Sequence, residues 1–571
     1  MKRVLIALGA AMLVPLVPLT ATAADVPDPL APGSHQVSET GYTLGDTAFQ
    51  PPNFPGPVEL TGQAYYPTDV DNGPYPTVVL LHGRHATCVI DGQPYPSGDW
   101  PCPSNGKPIP SYLGYGELAR NLASHGYSVI SVSANGINSA DAMDPSYGQP
   151  ARGELVLKHL DLLKQWSQQA DGALPQNVAK AYDLTKVGVM GHSRGGEGVV
   201  NAVDLNSQRE QRYGIKALLP LAATDFERRI PTGVAMAAVE PTCDGDVSDL
   251  QGVHYYDDGR YRIATDHAVR HVITVFGANH NYFNSVWSDS SGLPGSGDDW
   301  GYTNAPNSPC SPGTPTRLTE QQQRAVGTAY MGAFFRYALG GESAFAPLFN
   351  GSESVGALGK VLVSYSPPSA SGRRLDVNRF ASWRLAGPND LGGQTTTSGK
   401  LTSKSCGGGT DAYGSCLRWG QASSLREPHR GFGFGGVQAQ SVSWTATDAV
   451  LANAIPEQRG DVHGYKAIQF RAAVDYTSEL NKPGAVQDLH VTVTDASGHT
   501  ASAPAGQFGK GLEYPPTNAA DDVVPHLLLN QIRIPLNAFT GVDLTQIRSV
   551  GLAFDATPSG TLTLADLSFT D

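Results

Sequence analysis

Charge is scarce in this chain and basic charge scarcer still: Asp, Glu, Lys and Arg together make 16% of 571 residues, and acids outnumber Lys and Arg 52 to 39. The formal charge of −13 comes with no basic cluster and no Lys/Arg run. A nucleic-acid backbone needs such a footprint, so nucleic acid is excluded as a partner, and the acidity reads as a solubility feature. Cysteines number six and none are spaced Cys-x-x-Cys, which argues against a cysteine zinc site. Beyond the first residues no apolar stretch is long enough to span a bilayer. No internal repeat is visible.

The N-terminus does carry a short apolar run. Lys2 and Arg3 precede Val4–Leu19, which Pro15 and Pro18 interrupt, and Ala21-Thr22-Ala23-Ala24 supplies small residues for cleavage. This pattern predicts a secretory signal over 1–24, with no transmembrane anchor, and a secreted mature protein. In an oxidising compartment an even cysteine count permits three bridges. Nearest-neighbour pairing gives Cys88–Cys102, Cys243–Cys310 and Cys406–Cys416, one of the 15 connectivities open to six cysteines.

With 65 glycines and 42 prolines, a chain of this length divides into two or three units. From Pro57 to Gly341, short apolar runs alternate with helical patterns, which predicts an α/β unit: a mainly parallel sheet covered by helices. The predicted strands include Val78–Leu81, Val129–Val132, Val187–Met190, Ala217–Leu221, Val234–Val239 and Val272–Phe276. Helices are predicted over Gly116–Ser124, Gly153–Ser167 and Thr319–Tyr337. After Gly341 the pattern becomes alternating, with turn clusters and no helical crossovers, which predicts an all-β sandwich. The expected division is 25–350 for the first unit, 351–374 for a linker or the first strand of the second, and 375–571 for the sandwich.

Gly191-His192-Ser193-Arg194-Gly195 lies between a predicted strand and a predicted helix, the setting in which a sharp turn lifts a serine hydroxyl above a sheet. Ser193 is the candidate nucleophile. A serine needs a histidine to take its proton and an acid to orient that histidine, here in the chain order serine, acid, histidine. His280, in Gly277-Ala278-Asn279-His280 after the strand ending at Phe276, is the candidate base. The acid is sought in Cys243-Asp244-Gly245-Asp246-Val247-Ser248-Asp249, with Asp246 first choice, Asp244 second and Asp249 third; such a run also suits turns or a hard cation. Backbone amides must hold the oxyanion of acyl transfer. Arg84, in His82-Gly83-Arg84-His85, and Arg194 are the candidate donors, with His85 as the alternative to Arg84 and His82 read as structural. The Arg194 side chain can reach the oxyanion or a substrate carboxylate, but an ion pair with Glu197 at i+3 is the favoured reading.

As a set, His82-Gly83, the Ser193 elbow, the acid loop and His280 resemble the α/β-hydrolase superfamily over Pro57–Gly341. Gly-His-Ser-Arg-Gly-Gly is similar to the elbow of chlorophyllases and secreted bacterial polyester hydrolases and dienelactone-hydrolase relatives. The resemblance implies carboxylic ester hydrolysis through an acyl-enzyme, without cofactor or metal, on an ester that is open to being polymeric or polysaccharide-linked, its alcohol side a sugar, a lipid or a polymer. The polar, Gly/Ser/Pro-rich insertion Ser288–Gly313 departs from the long apolar lid of many lipases. The C-terminal region, with Ile534-Pro535-Leu536-Asn537-Ala538-Phe539, Val542-Asp543-Leu544 and the closing Gly560–Phe569 strand, is similar in pattern to jelly-roll, galactose-binding-like modules, which implies polysaccharide binding, a structural calcium with Asp566 as candidate ligand, or scaffolding. Trp383, Trp419, Trp444 and Tyr465 are candidates for a sugar-stacking platform or for the core. Two other functions stay open: a serine peptidase or amidase, and a polysaccharide-binding protein with a vestigial hydrolase unit.

Overall fold

A computed structural model describes residues 26–95, 100–248, 250–293, 300, 309–406, 438–476, 478–514 and 528–571. The predicted signal, Asp249, Cys416 and Trp419 lie outside these residues, as does part of the insertion after Ser288.

A nine-stranded sheet organises the first part of the chain. Its centre is Ser128–Val132, Tyr75–Leu81, Tyr182–His192, Ile215–Leu221, Ala235–Pro241 and Arg270–Val275, each parallel to its neighbours. Each predicted apolar run overlaps one of these strands. Buried on both faces, they hold rows such as Val78–Leu81 and Val187–Met190 with hardly any exposed surface. The hydrophobic clusters on the two faces together bury more apolar residues than any other part of the molecule.

The expected architecture nevertheless needs correction. The sheet is mixed: Val37–Thr43 and Thr61–Pro67 add antiparallel strands at one edge, and Val361–Ser366 adds one at the other. Strand content is 31% against 25% helix, with large mixed and antiparallel sheets, and not a helix-covered parallel sheet plus sandwich. Local chain length explains the difference. The long helices Gln149–Gln168, Arg194–Gln208 and Glu320–Ala338 pack on the sheet, but Leu221 and Ala235 are joined without a helix, and only the short turns Val253–Asp257 and Gly259–Arg262 precede Arg270. Helical cover is lighter there, although Val253, Tyr255 and Tyr256 still pack on the sheet. The stretch 351–374, expected as linker or first strand of the second unit, instead supplies the edge strand Val361–Ser366 of the main sheet.

The described residues after 373 form two six-stranded antiparallel sheets. Residues from both, including Trp444, Phe470, Leu552 and Phe569, share one apolar core. Trp444 is fully buried there and donates its indole N–H to the Thr557 carbonyl at 2.9 Å. Tyr465 packs against Phe569, and Trp383 stands by itself at 79% exposure. The described aromatics therefore make no stacking platform.

A buried polar seam joins the two parts. Asp566, at φ 65° where the register of the final strand shifts, accepts from Arg260 and Arg471, while Asp257 accepts from the same two guanidiniums. Asp566 is thus an ion-pair partner and not the expected calcium ligand. Burial alone would raise its pKa, yet Arg260 and Arg471 hold it down to about 2. Among the described residues no helix is long and apolar enough to cross a membrane, and no cluster of His, Cys, Asp and Glu is arranged to hold a metal ion.

Candidate active site

Ser193 is the hinge between the strand Tyr182–His192 and the helix Arg194–Gln208. Its backbone sits at φ 58°, ψ −128°, a conformation that costs a residue with a β-carbon on the order of 1–3 kcal/mol. Its neighbours allow the turn by having no side chains. A β-carbon on Gly191 would lie 2.0 Å from the Gly195 carbonyl oxygen, and one on Gly196 would lie 2.4 Å from Ala223. The Ser193 N–H donates to the Leu221 carbonyl at 2.9 Å, which fixes the elbow to the adjacent strand.

The loop after Leu81 lies directly against this elbow. A β-carbon at Gly83 would come within 2.5 Å of both Ser193 Cβ and the His192 carbonyl oxygen. The orientation of the Gly83–Arg84 peptide follows from what holds its carbonyl. Asn138 Nδ2 donates to the Gly83 oxygen at 2.9 Å, and so does His82 Nδ1. His82 Nε2 accepts the Ala134 N–H at 2.8 Å, so Nδ1 must carry the ring proton. His82 is therefore a structural residue, and burial depresses its pKa to about 3, which keeps it neutral. In a trans peptide the N–H points opposite the carbonyl, so pinning the Gly83 oxygen turns the Arg84 amide the other way. The Arg194 amide is the first of its helix, where no intrahelical acceptor exists.

Gly83→Ala tests this close approach, because it forces the Arg84 loop off Ser193. A lost oxyanion donor costs about 10²–10³ in rate. If Ser193 is a nucleophile toward esters, hydrolysis of p-nitrophenyl butyrate should show that loss in kcat, with KM changed less than about threefold.

His280 follows the strand Arg270–Val275 on a loop fixed at several points. Gln323, from the helix Glu320–Ala338, accepts the Asn279 N–H at 3.0 Å and donates to the Asn279 carbonyl at 2.8 Å. The Cys243 N–H donates to the Ala278 carbonyl, and Gly277 N–H to Thr242 Oγ1, so one backbone bond and one side-chain bond join the acid and histidine loops. Cys243 is also bridged to Cys310, and Cys88 to Cys102, as nearest-neighbour pairing predicts.

On this frame the acid facing His280 Nδ1 is Asp244 and not the first choice, Asp246. Asp244 Oδ2 accepts from Nδ1 at 2.8 Å in a buried setting, while its Oδ1 accepts the N–H groups of Asp246 and Val247 at 2.9 and 2.7 Å. Asp246 lies on the opposite side of the ring, 3.5 Å from Nε2, with 42% of its side chain exposed. The turn decides between them. The carboxylate that caps the Asp244-Gly245-Asp246-Val247 turn is drawn inward by its own backbone, and the next acid is left at the rim.

Below the elbow runs a file of rings: His280 to His192 at 4.9 Å between centroids, His192 to Trp287 at 4.8 Å, and Trp287 stacked on His85 at 5.1 Å. His192 is held by Tyr115, whose hydroxyl lies 3.1 Å from Nδ1, and burial keeps it neutral. Trp287 donates to Ser111 at 2.9 Å. Since His192 adjoins Ser193 in the chain, this packing brings the His280 loop against the elbow. Nothing in the sequence pattern around Trp287 marks it for that place.

The arginines depart from expectation. Glu197 does not pair with Arg194; it is buried, accepting from Thr224 Oγ1 and the Glu227 N–H, and burial with the nearby Asp225 pushes its pKa up to about 8. Arg194 reaches instead to Asp141, 2.7 Å away and fully buried. Arg152 and Arg84 approach the same carboxylate at 2.9 and 3.4 Å. The long sequence separation between Asp141 and Arg194 left no local signal of this pairing. No protein-family model matches the chain, and no curated protein matches it.

Proposed function

We propose that this chain is an exported serine hydrolase that cleaves carboxylic esters through an acyl-enzyme. The observation that carries the reading is Ser193 at a positive-φ elbow whose neighbouring ring, His192, packs against a histidine bonded through Nδ1 to a buried aspartate. In this reading Ser193 Oγ attacks the ester carbonyl while His280 Nε2 takes the hydroxyl proton. Asp244 holds the imidazole in the Nδ1–H tautomer and stabilises its cation. The amides of Arg84 and Arg194 donate hydrogen bonds to the developing oxyanion. As the intermediate collapses, the C–O bond to the alcohol breaks and His280 returns the proton to the leaving oxygen. Water, deprotonated by the same nitrogen, then attacks the acyl-enzyme and releases the acid. Export is supported by the signal-like first residues and by two disulfides placed beside the site.

The test is labelling with a fluorophosphonate followed by peptide mass spectrometry, alongside hydrolysis of p-nitrophenyl butyrate by the full chain and by Ser193→Ala. Expected are modification of Ser193 and a loss of about 10⁴-fold or more in the variant, with circular dichroism unchanged. Undiminished hydrolysis by the variant, or labelling only at another serine, would reject the reading. Matched p-nitroanilides separate an esterase from an amidase in the same assay.

A further inference from the structure

The two residues assigned as oxyanion donors send their side chains to one place. Asp141 accepts from Arg194 NH1 at 2.7 Å and Arg152 NH2 at 2.9 Å, and Arg84 Nε lies 3.4 Å from its other oxygen. Arg152 is sealed from solvent and spends its remaining contacts on the Tyr147 carbonyl and Asn138 Oδ1, at 2.8 and 2.7 Å. Whatever else Arg84 meets, Arg152 and Arg194 alone set two positive charges against one negative. Arg152 is buried and uses Asp141, so the partly exposed Arg194 shares a carboxylate already engaged and is left favourable to a visiting anion.

Arg194 is built to receive one. Its guanidinium lies over the rings of Tyr147 and Phe226, with centroids at 5.4 and 5.8 Å, and one nitrogen is anchored on Asp141. That arrangement fixes the planar fork before any ligand arrives, which removes most of the ordering cost of binding. The side chain keeps 21% of its surface open, and that of Arg84 keeps 39%; Arg194 follows the nucleophile in the chain, and Arg84 follows Gly83, which lies against it. Of the anions such a fork can take, a carboxylate matches it in plane and spacing.

We propose that Arg194, anchored by the Asp141–Arg152 pair and flanked by Arg84, binds a carboxylate of the substrate, so that the ester cleaved at Ser193 carries an anionic group close to the scissile bond. This rests on the reading of Ser193 as nucleophile. The surplus positive charge makes the oxyanion side of the site selective for anionic esters over their neutral counterparts.

The test compares kcat/KM within two matched pairs: mono-4-nitrophenyl adipate against its methyl ester for a carboxylate on the acyl side, and 4-acetoxybenzoate against its methyl ester for one on the alcohol side. In one pair the anionic member should be favoured about 10- to 100-fold, the scale of a charge-assisted pair. The ratio should shrink with added salt, fall to near one in Arg194→Gln and recover in part in Arg194→Lys. Because the ratio is the readout, a general loss of rate in a variant does not mimic the effect. Ser193-dependent hydrolysis of both neutral esters with no anionic preference would overturn this subsite and leave the esterase reading standing. A wild-type preference that survives Arg194→Gln would remove Arg194 from the role. Failure to hydrolyse any of the four would overturn both.

Discussion

Asp244→Asn should lower kcat by about 10⁴-fold, while Asp246→Asn should change it by less than about tenfold. The carboxylate of Asp244 receives three N–H groups: His280 Nδ1 on one oxygen, the amides of Asp246 and Val247 on the other. A carboxamide has only one acceptor oxygen. If that oxygen keeps the turn, the NH2 group faces Nδ1 and drives the ring to the wrong tautomer, with its proton on Nε2 where the base must be bare. If the oxygen keeps the histidine, the turn that places it is lost. Asp246 stands 3.5 Å from Nε2 with 42% of its side chain exposed, so its charge is screened by solvent and its loss perturbs the ring far less. Steady-state kinetics on p-nitrophenyl butyrate decide the matter, and the larger loss at Asp246 would reverse the assignment.

Asp566→Ala should destabilise the protein by about 3–5 kcal/mol, because it removes a buried carboxylate that Arg260 and Arg471 share with Asp257. Chemical denaturation followed by tryptophan fluorescence measures the effect, and Asp566→Asn isolates the charge, since asparagine tolerates the positive φ at this position. The same seam gives acid sensitivity with a definite sign. The folded-state pKa of Asp566 is depressed to about 2 from 3.8, so its contribution is fully present above about pH 4 and is lost as the pH falls through that interval. The wild type should lose stability there and Asp566→Asn should not show that part of the loss. A cost below about 1 kcal/mol would mean that solvent or rearrangement compensates the pair.

What the sequence made legible was short in range. The elbow is a five-residue pattern bounded by glycines that the turn sterically requires, and His280 follows a strand, a glycine and a short loop in order. The central strands are apolar runs because both their faces are covered. The edges were harder to read: Val37–Thr43 and Thr61–Pro67 are half-polar segments whose place depends on pairing with a distant partner, and Val361–Ser366 adjoins a Ser/Pro/Gly stretch that reads as linker. The choice between Asp244 and Asp246 did carry a signal, the Asp-Gly step that favours a side-chain-capped turn, and it points to the first acid. Arg194 was matched to Glu197 because helical spacing brings those positions near each other, whereas Asp141 meets it only through folding. Trp444 belongs to the core for the ordinary reason that an indole in a strand buries a large apolar area.

Cys243 stands immediately before the acid that holds His280, and its sulfur is tied to Cys310. The hydrogen bonds of the sheet need no such tie. A chain synthesised in the reducing interior of a host cell would thus have its main scaffold specified while the segment bearing Asp244 lost a covalent tether. If the proposed reading of Ser193 holds, the specific activity of such a preparation should fall further than its yield.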